Sequence, residues 1–71
     1  MGEIGKMFKL HREAMGLSQA QLGEKLCVNT SMIGQIEVGM KMPSVGLVKL
    51  AAELFGCTTD ELIFGSKRES A

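Results

Sequence analysis

"LSQAQLGEKLCVNTSMIGQIEVGMKMPS", residues 17–44, is the stretch whose spacing decides the fold. Ser18 and Gln21 stand three apart as in a capping box, and Leu17 and Leu22 occupy the positions of a hydrophobic staple, so a helix starts here and runs to about Leu26. "CVN" turns the chain. Asn29 then caps a further helix over residues 30–37, and Gly39 marks its end. A connection of about three residues is too short for antiparallel packing, so the two helices cross steeply. Gly23 lies where they touch, and Val28, Ile33 and Ile36 seat the second of the pair on the rest. Its opposite face offers only short or uncharged residues, Ser31, Met32, Gly34 and Gln35, and such a sparse face asks for a purpose.

Upstream, Ile4, Met7, Phe8, His11, Ala14 and Met15 recur at about 100° per residue with Lys6, Lys9 and Glu13 opposite, which predicts an amphipathic helix over 4–15 closed by Gly16. Downstream, Pro43 and Ser44 announce a fourth helix whose core line is Val45, Val48, Ala52 and Phe55, stopped by Gly56. Thr58 and Glu61 repeat the capping-box spacing, and a brief fifth helix carries Leu62, Ile63 and Phe64 toward the core. The fold class is therefore all-α, a compact bundle of five helices. Residues 1–65 form one domain, with the turn motif at about 18–37, and the polar residues 66–71 form a tail in which Lys67 and Arg68 are solvated.

Composition narrows the function. The chain of 71 residues has room for one small core, and with three Phe and no Trp or Tyr that core is aliphatic and methionine-rich, which suits helices. Eight basic and eight acidic residues give a net charge of +0, so any attraction to nucleic acid must come from local arrangement. Two cysteines without CxxC spacing and one histidine offer neither a zinc set nor a disulfide framework, and place the chain in a reducing cytoplasm. His11 reads as a partly buried histidine, and Cys27 and Cys57 as small buried hydrophobes. No nucleophile stands with a base, so no catalytic set, cofactor, metal or small-molecule substrate is expected. Nor does any apolar run reach membrane length. Met40 and Met42 are expected to fold back on the core. On the fourth helix, Leu47, Leu50 and Leu54 form a second apolar line outside the core line, with Ile63 and Phe64 as neighbours; in so small a chain this calls for a partner, and a homodimer interface is the economical reading.

The quoted stretch, within a likeness running from about Ile4 through Gly65, resembles the helix-turn-helix of the phage repressor and Cro-like family of transcriptional regulators. That resemblance implies a DNA-binding regulator, a repressor on a two-fold operator of double-stranded DNA, with the third helix in the major groove. By position, Thr30, Ser31 and Gln35 face the bases, Met32 lies against a thymine methyl, and the bare Gly34 faces a sugar edge. Gln35, able to pair with adenine in two hydrogen bonds, is the best discriminator. Gln19 sits near the phosphate backbone or buttresses Gln35, Lys41 contacts phosphate, and Arg12 pairs with Glu37 as a structural ion pair. Two positions depart from the family pattern. Cys27 stands where a left-handed glycine is usual, and the "VGMKMP" loop keeps a single lysine. The thin charge leaves an alternative: a protein-interaction module of the same fold, like an antitoxin or antirepressor, that uses its methionine and leucine surfaces.

Overall fold

The structure, a computed structural model, describes residues 3–65; the polar tail, with Lys67 and Arg68, lies outside the described residues. Five helices follow one another: α1 (Glu3–Ala14), α2 (Gln19–Leu26), α3 (Thr30–Glu37), α4 (Val45–Phe55) and α5 (Thr59–Phe64). The starts of α2, α3, α4 and α5 have local causes. Ser18 and Thr58 both complete reciprocal capping boxes, with Gln21 and Glu61, while Asn29 and Ser44 accept the backbone N–H groups of Met32 and Leu47 at 2.8 and 3.1 Å.

Phe8, Leu22, Ile33, Ile36 and Leu62 are fully buried and bring α1, α2, α3 and α5 onto one core, to which α4 adds Leu47, Val48, Ala51 and Ala52. The aromatic contacts tie α1 to α4. Phe8 meets Phe55 edge-on at 5.9 Å between ring centroids, and the half-buried His11 stacks on the same ring at 5.0 Å. Two glycines permit the closest helix approaches. A Cβ on Gly23 would stand 2.6 Å from the Val28 carbonyl oxygen, and one on Gly5 would collide with that of Ile36. The first was expected from the turn, whereas Gly5 carried no local sign.

Several expected placements are corrected. Val45, placed on the core line, is 77 % exposed, and Leu47, placed on the outer line, is 7 % exposed and belongs to the core. The cause is rotational phase: the buried positions of α4 run 47, 48, 51 and 52, a stripe that leaves the first residue of the helix overhanging its end. Leu54 is half-buried against the core, so of the outer line Leu50 alone is fully at the surface. Ala14 and Met15 are exposed where α1 runs out. Ile63 and Phe64 are largely exposed because α5, a helix of 6 residues, buries Leu62. Met40 and Met42 are exposed as well: the amides of Met40 and Lys41 both donate to the Gln35 carbonyl, at 2.8 and 3.2 Å, and this tight turn holds the loop away from the core. Cys27 is exposed rather than buried, because it is the turn residue itself. Among the described residues no helix is long and apolar enough to cross a membrane.

Candidate nucleic-acid interface

The surface of interest is the outer face of α3, and its position is set from beneath. Cys27 ends α2 in the left-handed conformation, φ 63° and ψ 37°, and Val28 donates to the Gly23 carbonyl at 2.9 Å. The chain thus reverses within Cys27–Asn29 and starts α3 on the Asn29 cap. Ile33 and Ile36 anchor α3 in the core, which turns Thr30, Ser31 and Gln35 to solvent. Met32 is half-buried and packs partly against the core, so less of it is free for a ligand than the sequence implied.

The far end of α3 is pinned by an ion pair. Arg12 donates from Nε to Glu37 Oε2 at 2.7 Å and from Nη2 to Oε1 at 3.1 Å, a two-point pair between side chains only 11 % and 3 % exposed. Its Nη1 donates to the Leu17 carbonyl at 2.9 Å, so one guanidinium joins α1, the entrance to α2 and the end of α3. The hydrogen bond with Glu37 raises the Arg12 pKa above its ordinary value, against the opposing effect of burial. Arg12 is thereby committed to the fold.

Of the two placements expected for Gln19, the hydrogen bonds within the protein bear on one, the buttress of Gln35. Its Nε2 donates to Glu37 Oε1 at 3.0 Å, so it braces the ion pair rather than Gln35. A carboxylate only accepts hydrogen bonds, which fixes which end of the carboxamide faces it. The other expected residues assemble around this frame: Gln35 points out one turn from Ser31, and its carbonyl holds the loop that carries the exposed Lys41. Sequence reasoning missed this link because a backbone carbonyl gathering two amides leaves no trace in residue type.

The chain is similar to several known proteins. The helix-turn-helix family pattern matches residues 8–62. An uncharacterized HTH-type transcriptional regulator of Bacillus subtilis strain 168, YazB, is 29% identical over 58 residues, covering 82% of this chain and 84% of its own length. In fold, the P22 c2 repressor, solved in complex with a synthetic operator, superposes with a TM-score of 0.83 at 24% identity over 89% of this chain and 96% of that one. The restriction-modification controller protein C.AhdI of Aeromonas hydrophila gives 0.77 at 26% identity, over 86% and 92% of the two chains. With five helices joined through this turn and the pattern match over most of its length, the chain belongs to the Cro/C1-type helix-turn-helix family of DNA-binding transcriptional regulators.

Proposed function

We propose that this regulator is a sequence-specific repressor that works in the cytoplasm as a homodimer, without cofactor, on a two-fold operator. The observation that carries the reading is the α3 face: Thr30, Ser31 and Gln35 are exposed together on a helix locked by Arg12, Glu37 and Gln19. Preorganised in this way, Gln35 reads a base edge and Thr30 and Ser31 accept or donate to its neighbours, while Lys41 grips phosphate. Met32 supplies apolar contact at the margin. Gln19, held beneath, acts as a brace for the readers.

Dimerisation is part of the proposal because a single lysine in the loop supplies little non-specific affinity. The start of α4 and the end of α5 bound an apolar cleft of about 420 Å³ whose walls include Ile4, Met42, Val45, Val48 and Ile63. Leu50 and Phe64 are exposed on the same two helices, and Leu54 is half-buried. A second copy covers the flank of α4 that carries Leu50 and Leu54, round the helix from the cleft, with Ile63 and Phe64 as neighbours and Leu47 beneath it in the core. The alternative, a protein-interaction module, draws support from the exposed Met40 and Met42 and from the net charge of +0.

Selection of sites from random duplex DNA, followed by titration at two salt concentrations, tests the reading. Gln35→Ala is expected to cost on the order of 1–3 kcal/mol on the selected site and little on random DNA. Lys41→Ala is expected to weaken both and to flatten the salt dependence. Enrichment of no site by the wild-type chain favours the interaction module.

A further inference from the structure

Gly34 lies in the middle of α3, where glycine weakens a helix relative to alanine. The helical glycines Gly5 and Gly23 are each required by the fold, since a Cβ on either would overlap a backbone carbonyl oxygen of a neighbouring segment. Gly34 has no such excuse. A Cβ there would meet nothing nearer than the Gln19 carboxamide, at 3.7 Å from Oε1 and 3.9 Å from Nε2, which is ordinary contact with the end of a flexible side chain. Its φ is not in the left-handed region either, so the backbone makes no demand for glycine. Gly46 also faces open space, but it sits in the first turn of α4, away from the α3 face. The fold thus tolerates a side chain at 34, and the helix would gain from one.

The position also lies on the same face of α3 as the exposed Thr30, Ser31 and Gln35. Gly34 is one turn beyond Thr30 and Ser31 and adjacent to Gln35, and Gln19, tied to Glu37, forms a fixed wall beside it. A bare α-carbon at such a point lets backbone approach a ligand to contact distance. We infer that Gly34 is a specificity-determining residue of this interface, the point at which the backbone of α3 closes on a base edge rather than on the sugar edge that the family resemblance implies; the inference rests on the DNA reading proposed above. Any side chain there lifts the helix from the groove floor and draws Gln35 out of reach of its base.

The test pairs stability with binding, using the full chain and a duplex selected from random DNA by the wild type. Gly34→Ala is expected to raise the thermal midpoint by about 5 °C, and to lower affinity for the selected duplex by about tenfold with affinity for random duplex unchanged. Gly34→Ser is expected to lose affinity in the same way. Three results overturn the inference: unchanged affinity of both variants for the selected duplex, an equal loss on selected and random duplexes, which would place the close contact on phosphate, or a lowered midpoint, which would make Gly34 a requirement of the fold. If the wild type selects no duplex, the DNA reading itself fails and takes the inference with it. A selected duplex that the variants bind unchanged overturns the inference alone.

Discussion

Cys27 occupies a conformation, φ 63°, that an L side chain adopts at a cost. Replacing it with glycine relieves that cost, and because the thiol is exposed little packing is lost in exchange. Cys27→Gly is expected to raise stability by about 1 kcal/mol, read as a higher denaturant midpoint at unchanged slope. The second thiol behaves differently. Burial, and then the charge of Glu61, push the Cys57 pKa above its ordinary value of 9.0. The folded chain therefore favours the neutral thiol: the stability this contributes is complete below pH 9 and is lost as the pH rises through the elevated value. With limiting iodoacetamide at neutral pH, Cys27 is expected to be alkylated well before Cys57, as peptide mass spectrometry would show; equal labelling would mean that Cys57 opens freely to solvent. The left-handed turn at residue 27 was legible because the family resemblance places a glycine there. The thiol's exposure was not, since cysteine as a residue type points to burial.

At the scale of elements, the pair formed by Arg12 and Glu37 holds three helices in register. Removing one partner from a buried pair strands the other charge, which costs more than the pair itself contributes. Glu37→Ala is accordingly expected to destabilise the fold by about 3 kcal/mol, measured by urea denaturation, and to loosen Gln19 along with Arg12. Loss of well under 1 kcal/mol would mean that the Leu17 carbonyl and Glu13 hold the guanidinium adequately alone. Helix starts were readable almost to the residue: Ser18 with Gln21 and Thr58 with Glu61 are partners within one turn, so both halves of the interaction lie side by side in the sequence. The rotation of α4 was not readable in the same way. Val45 and Leu47 are both apolar, and which of them faces inward is decided by α1, α2 and α5, elements distant along the chain. Gly5 escaped notice for the same reason, because its neighbour Ile36 belongs to α3.

For the molecule as a whole, the apolar surface of α4 and α5 separates two kinds of leucine. On the dimer proposed above, Leu50→Glu is expected to leave a folded monomer, with an unchanged circular dichroism melt and half the mass in sedimentation equilibrium, because a carboxylate in an apolar interface is strongly disfavoured. Persistence of the dimer would move the interface elsewhere. Leu47→Ala is expected instead to lower stability by about 2–5 kcal/mol, as truncation in a core does. The composition and the helix count made the all-α class plain, and the turn spacing located the face of α3. The partition of the leucines between core and surface needed the assembled bundle.

The single lysine of the loop after α3 has a kinetic consequence. Proteins rich in phosphate contacts are retained on any stretch of duplex and scan it by sliding. On the DNA reading proposed above, a chain of net charge +0 with Lys41 as the one lysine between exposed methionines would leave non-specific duplex quickly. Acting on DNA, it would reach its target mainly through repeated encounters from solution, so that lengthening the flanking sequence would hardly speed its arrival, and the bulk of the chromosome would sequester little of it.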